Sequence, residues 1–231
     1  MKLIYKGKTK NVYELENNLL LLEFKDDVTV DANGNIDPGG NKVGLSIKGM
    51  AETNIRLTDF FYSKINAAGF NSHYVSADLN KAHMTVKAAK QFGKSGNGLE
   101  VICRFVATGS YMRRYKLYAT EGQKLPALVE ITIKDDEGGD PPISKESLIA
   151  LEIMTAAEYS ELVALTQKIS TLVKDELTKK GAELYDIKLE FGRAVSDGKI
   201  MLIDEISGGS MRVYKNGLII NPLEIAKLVL T

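Results

Sequence analysis

The sequence predicts an α+β fold, with largely antiparallel sheets and packed helices. Three observations point to it. Short apolar or alternating runs bounded by turn residues recur at 5–14, 18–24, 99–106 and 184–192, which is strand spacing. One long stretch, 155–180, carries Leu162, Leu165, Ile169, Leu172 and Leu177 near helical spacing, behind a Thr155–Glu158 capping box and ahead of Gly181. The turn residues Ser196-Asp197-Gly198 join the last long strand to another apolar run.

Residues 1–90 read as an antiparallel sheet with one helix. In YKGKTKNVYE (5–14), Gly7 allows close backbone approach, Lys8 and Lys10 point the same way on an extended strand, and Val12 and Tyr13 resume the strand pattern. A glycine turn flanked by lysines can cover a nucleotide's phosphates, although most such turns are only turns. NLLLLEF (18–24) is the next strand. A helix is expected over 46–68, with Ile55, Phe60, Phe61 and Ile65 on its apolar side and Gly69 as its stop. The glycine-rich KQFGKSGNG (90–98) marks a lobe boundary. The chain then divides into a β lobe over 1–95 and an α+β lobe over 96–231. In the second lobe a helix follows Gly109, a glycine-proline-rich acidic loop spans 134–142, and a short helix closes the chain.

In LYDIKLEFG (184–192), Asp186, Lys188 and Glu190 alternate with Ile187, Leu189 and Phe191. One face is charged and the other apolar. The strand after the turn is expected over 199–205. A two-residue loop would pair Glu190 with Glu205. A three-residue loop with Gly198 at the bulge position pairs Glu190 with Asp204 and Phe191 with Ile203, so that the apolar stripes agree. The three-residue register is the expectation. Two carboxylates facing each other repel by up to about 1 kcal/mol, and a cation between them reverses that sign. Hard oxygen ligands in small number suit Mg²⁺, and Lys188 could hold a further anion. The alternation alone leaves two readings open: a solvated charged face, or a metal-holding pair.

The chain has 231 residues, 30 acidic and 30 basic, with 44% hydrophobic residues. It is long enough to fold without disulfides. Balanced charge with no basic run argues against nucleic acid as the main partner. A lone cysteine, Cys103, in an apolar strand fits a core residue in a reducing cytosol. The charged N-terminal strand offers no signal peptide, and no apolar run approaches ~20 residues, so no membrane partner is expected. GKS at 93–95 lacks the leading glycine of a P-loop, since Ala88 stands there. Asp31, Asn33 and Asn35 imitate a calcium loop, but Ile36 and Lys42 replace its glycine and glutamate. His73 and His83 have no cysteine partner for zinc. Arg113-Arg114-Tyr115-Lys116 suits a solvated helix face or a phosphate clamp better than RNA contact.

Taken together these segments resemble the SAICAR synthetase family of purine biosynthesis. LYDIKLEFG matches the family signature at every defined position. Supporting matches run in order along almost the whole chain: YKGKTKNVYE, FKDD at 24–27, KGMAETN at 48–54, AGF at 68–70, R-x-x-A-T-G-S at 104–110, IKDDEGGDP at 133–141 and DE-I-S…R at 204–212.

The resemblance implies two lobes with ATP between them. It also implies a ligase that joins the carboxylate of carboxyaminoimidazole ribonucleotide to the amine of L-aspartate, using ATP and Mg²⁺ through an acyl phosphate. Phosphoryl transfer asks a protein mainly for positioning and charge neutralisation, in keeping with a chain that has no nucleophile motif. Carried over by position, Lys8, Lys10, Val12 and Lys134 match the ATP side. Glu190 and Asp204 match the Mg²⁺ pair. Arg104, Ser110, Lys188 and Arg212 match groups on the ribonucleotide, and Asp186 matches an acid near the imidazole. Asp31 is the nearest candidate for the family's loop aspartate. Lys188, Asp186 and Arg212 are the expected catalytic groups. A cytoplasmic location and small-molecule partners follow, and a homo-oligomer is compatible with the same reading.

The departures fall on the substrate side. The family's Ser-Pro-Asp-Ser-Ser-Arg is here Ser207-Gly208-Gly209-Ser210-Met211-Arg212, the family's Arg-Asn pair is Arg104-Phe105, and the C-terminal tail is short. Two alternatives stand beside the leading reading: a homologous ligase with another carboxylate or amine, and a non-catalytic nucleotide-binding homologue.

Overall fold

The computed structural model describes residues 1–30, 42–93, 97–135 and 137–231. Asp31, the calcium-loop imitation and part of the GKS segment lie outside the described residues.

Strands β1 (Lys2–Lys6), β2 (Lys10–Glu14) and β3 (Leu19–Phe24) run antiparallel in order, with Val12 opposite Leu22. β4 (Asp27–Val30) and β5 (Lys42–Ser46) pair with each other. Helix α1 (Met50–Ala67) follows. It begins at Met50 instead of 46, because β5 holds the chain extended through Ser46 and Gly49, at φ 87, makes the entry turn. Ile55, Phe61 and Ile65 are fully buried as expected, and Phe60 is half-buried. β6 (Tyr74–Asp78) and β7 (His83–Lys87) complete a five-stranded sheet ordered β1-β2-β3-β7-β6. Leu22, Phe24, Met84 and Val86 of this sheet close over Ile55.

The remaining elements are β8 (Ala89–Gln91), β9 (Leu99–Val106), α2 (Ser110–Tyr115), β10 (Lys124–Ile133), α3 (Lys145–Ala150), α4 (Ala156–Lys179), β11 (Glu183–Ala194), β12 (Ile200–Ile203), β13 (Met211–Lys215), β14 (Leu218–Ile219) and α5 (Pro222–Leu230), with a 3₁₀ turn at Gly208–Ser210. The second sheet runs β10-β9-β11-β13-β14. The far half of β11 instead carries β8 on one side and β12 on the other. α4 opens with the expected reciprocal capping box, and Gly181, at φ 70, follows its end.

Strand alternation separates two chemistries across this sheet. Val101, Cys103, Ile187, Leu189, Met211 and Val213 pack with Leu162, Ile169, Val173 and Leu177 of α4. Glu100 and Arg104 on β9, Asp186, Lys188 and Glu190 on β11, and Arg212 on β13 take the alternate positions, and Asp186 pairs with both Arg104 and Arg212.

The hairpin register differs from the expectation. Glu190 pairs with Ile203, not Asp204, and Phe191 pairs with Leu202. The loop has four residues, 195–198, closed by Ala194 N–H to Lys199 O at 2.8 Å and Gly198 N–H to Ala194 O at 2.9 Å. The physical reason is that all of β12 is buried. Leu202 joins the main core, while Met201 and Ile203 pack with Ala194. Apolar side chains on both faces of β12 leave alternation with nothing to choose between registers.

Candidate active site

β12 ends at Ile203, and the next residue, Asp204, is a non-glycine residue at φ 67. Had the strand continued extended, Asp204 would have faced away from Glu190, since Ile203 is the residue opposite Glu190. The left-handed bend breaks the alternation. The side chain of Asp204 thereby reaches Lys10 of β2, whose Nζ is 3.0 Å from Asp204 Oδ1 and 3.2 Å from Glu205 Oε1. Lys134, just after β10, is 2.6 Å from Glu190. Lys188 is 2.8 Å from Glu100. Each of these lysines therefore has a carboxylate partner.

The electrostatics follow from burial and proximity. Burial alone would lower the Lys10 ammonium, but Asp204 and Glu205 outweigh it and hold its pKa above the usual lysine range. Burial likewise opposes Lys188, and Glu100 and Glu190 overcome it. Burial and the Asp204 charge push the Glu190 carboxyl up, against Lys134 and Lys188. Asp204 goes the other way: Lys10, Lys134 and Lys188 outweigh its burial and hold it well below the carboxylate range. A buried Glu190 and a half-buried Asp204 driven apart in this way mark a chemically specialised site.

Beside this cluster lies a second one. Arg104, 1% exposed, donates to Asp186 at 2.8 Å, to Ser110 at 2.9 Å and to Glu130 at 2.5 Å. Arg212 donates to the same Asp186 oxygen at 2.8 Å. Gly109, at φ 56, lies against the Arg212 guanidinium, where a Cβ would be 2.9 Å from Cζ. Arg114 is tied to Glu130 at 2.8 Å, an ion pair that neither a solvated helix face nor a phosphate clamp, the two readings expected of its stretch, had included. Glu130 and Asp186 keep the fork of Arg104 fixed, as planar anion recognition requires.

The structure thus brings Lys10, Lys134, Lys188, Glu190 and Asp204 together, and Arg104, Ser110, Asp186 and Arg212 beside them. Lys8 is exposed on the turn before β2, and Val12 packs at the edge of the cluster around Leu22. The sequence reading missed Glu100, Glu130 and Glu205 as partners. For Glu100 and Glu130 the available signal was an acid within the apolar runs of β9 and β10. His73, set aside in the sequence as a residue with no zinc partner, is buried with Nε2 3.0 Å from the Asp204 carbonyl, and burial lowers its pKa to about 4. Cys103 is a core residue, its thiol pushed up to about 11 by burial.

Among the described residues no group of three or more His, Cys, Asp or Glu side chains is set to hold a metal by itself. The donors present still fit Mg²⁺. Glu190 and Asp204 are hard oxygen ligands close enough to repel, and Glu205 Oε2 is buried with no hydrogen-bond partner among the described residues. A cation that completes its shell with substrate phosphate and water needs few protein ligands.

A family model described as SAICAR synthetase matches residues 3–219. A phosphoribosylaminoimidazole-succinocarboxamide synthase of Clostridium tetani (strain Massachusetts / E88) is 54% identical over 230 residues, an alignment that takes in 100% of each chain. A solved SAICAR synthetase (Type-2) in complex with ADP superposes with a TM-score of 0.83 at 28% identity, covering 98% of this chain and 95% of that one. The Type-1 crystal structure of SAICAR synthetase from Pyrococcus horikoshii OT3 gives a TM-score of 0.80 at 27% identity, with 96% and 95% covered. Sequence match and superposed fold agree over nearly the whole chain, and it belongs to the SAICAR synthetase family.

Proposed function

We propose that this chain is an ATP-dependent ligase that joins the carboxylate of carboxyaminoimidazole ribonucleotide to the amine of L-aspartate, in the cytoplasm. The observation that carries the reading is the set of lysine–carboxylate pairs, Lys10 with Asp204, Lys134 with Glu190 and Lys188 with Glu100, beside the Arg104–Asp186–Arg212 fork.

A carboxylate is a poor electrophile until phosphorylation supplies a leaving group. Lys10 and Lys134 would neutralise transferring phosphate. Arg104 and Arg212 suit the anionic groups of the ribonucleotide, and Lys188 suits the reacting carboxylate as a point charge. Glu190 and Asp204 would hold Mg²⁺, which when bound neutralises charge on the phosphate oxygens. No protein nucleophile is needed, and the only cysteine is buried in the core.

The test is ADP release by the purified protein with Mg·ATP and carboxyaminoimidazole ribonucleotide, with and without L-aspartate. Aspartate-dependent release with matching succinocarboxamide product is the expected result. Gly208-Gly209, where the family carries proline and aspartate, favours a second reading in which the acceptor amine or carboxylate differs. Tight Mg·ATP binding without that turnover selects it.

A further inference from the structure

We infer that Tyr62 and His73 are positioning residues: by binding the main-chain carbonyl of Asp204 they hold the left-handed bend that aims its carboxylate into the site. Tyr62 O–H donates to Asp204 O at 3.1 Å, and His73 Nε2 is 3.0 Å from the same oxygen. A carbonyl only accepts, so the ring nitrogen facing it carries the hydrogen. Both side chains are buried, at 0% and 4% exposure, and their rings lie 5.5 Å apart.

The clamp is anchored on both sides. His73 N–H donates to Leu202 O at 2.9 Å, and Leu202 N–H donates to Asn71 O at 3.0 Å, so the segment carrying His73 is locked to β12 two residues before the bend. Tyr62 stands on α1 one turn after Thr58, whose hydroxyl donates to Ile206 O at 3.2 Å. α1 therefore holds carbonyls on both sides of Glu205. A non-glycine residue in the left-handed region costs about 1 kcal/mol or more unless its surroundings fix it. Here two donors on one carbonyl fix it. Without them, the strand geometry set by the Glu190–Ile203 pair favours turning Asp204 away from Glu190.

This inference rests on the reading of Asp204 as a ligand for the nucleotide-bound metal. The test is titration calorimetry of Mn·ADP binding to Tyr62→Phe and His73→Asn, each in the native and in the Asp204→Asn background, with melting curves for every variant. Tyr62→Phe removes one oxygen from the side chain and keeps the packing. Each clamp variant is expected to weaken Mn·ADP binding about threefold to tenfold in the native background, the range of one lost buried hydrogen bond. In the Asp204→Asn background the same changes should alter binding less than about twofold, because the carboxylate they aim is gone. A purely structural role would lower melting temperatures but give equal losses in both backgrounds, and that result overturns the inference. If Asp204→Asn alone leaves Mn·ADP binding unchanged, the metal-ligand reading of Asp204 falls, and the inference falls with it.

Discussion

Lys10 and Asp204 come from opposite ends of the chain and meet at 3.0 Å, with Glu205 sharing the same ammonium at 3.2 Å. The pairing is as much an occupation of the site as a stabilising contact. If Asp204 holds the metal as proposed, Lys10 competes with that metal for the carboxylate. Metal and phosphate bound together would then relieve both ends of the pair.

Lys10→Met tests that exchange. Removing Lys10 leaves Asp204 and Glu205 without their nearest countercharge, at a cost of about 2–4 kcal/mol, below that of a fully buried pair because Asp204 is half-buried. We expect the variant without added metal to melt about 4–16 °C lower. Millimolar Mg²⁺ should return part of the loss, while leaving native protein nearly unchanged. Lys124→Met, which breaks the exposed pair with Glu183, is the control and should not respond to Mg²⁺. The measurement is thermal unfolding with and without MgCl₂.

Glu190→Gln should separate stability from activity. Burial first and Asp204 second raise the Glu190 carboxyl above its ordinary value. A raised acid stabilises the fold in its protonated form. That contribution is present at low pH and is lost as pH rises through the folded pKa. Glutamine imitates the protonated form, and Lys134, 30% exposed, can turn to water. At pH 7.5 the variant should melt at or above the native temperature, yet turn over about 100-fold more slowly because a metal charge is gone. Turnover that is unchanged at limiting Mg²⁺ would remove Glu190 from the metal site.

Much of this was readable from residues because the charged face of β11 alternates cleanly, so Asp186, Lys188 and Glu190 could be placed together before any geometry. The capping box at Thr155 likewise fixed the start of α4. Asp204 was harder. Its approach to Glu190 depends on a bend held by Tyr62 and His73, residues more than 130 positions away, and no local pattern encodes a hydrogen bond to a distant carbonyl. The register failed for the opposite reason, since β12 is apolar on both faces. Glu100 and Glu130 were overlooked because the partner of an acid within an apolar run is not legible until the neighbouring strand is known.

The substituted loop gives a third prediction. A Cβ on Gly208 would lie 2.5 Å from the Cα and 2.8 Å from the carbonyl oxygen of Pro222, at the start of α5. Backbone cannot give way as a flexible side chain can. Gly208→Ala should therefore cost about 1–3 kcal/mol, the usual penalty of overpacking. Gly209 meets only Ser207 Oγ, at 3.5 Å. Gly209→Asp, which restores the acid of the family pattern, should shift the melting temperature by less than about 2 °C. The contrast accounts for the missing proline: the docking of α5 against the 3₁₀ turn leaves no room for a ring at 208, while a Cβ at 209 meets only ordinary contact. Paired melting curves check it.

Glu158 supplies a pH dependence away from the site. Arg193 Nε lies 2.6 Å from Glu158 Oε1, and Thr155 N–H donates to Oε2 at 2.7 Å. Chiefly through Arg193, the carboxyl falls from an ordinary 4.5 to about 2. A depressed acid stabilises the fold above its unfolded pKa, and that stability is lost as pH drops through the folded value. Glu158→Gln keeps an acceptor for the cap but removes the charge. With the side chain 22% exposed, solvent screening discounts the effect to about 1–2 kcal/mol at pH 7. At pH 3.5, inside the window between 4.5 and about 2, the native protein has already lost part of this term, so the gap to the variant should shrink to about half. Urea unfolding at the two pH values measures it. An equal gap at both would assign the stabilisation to the neutral hydrogen bond and not to the charge on Glu158.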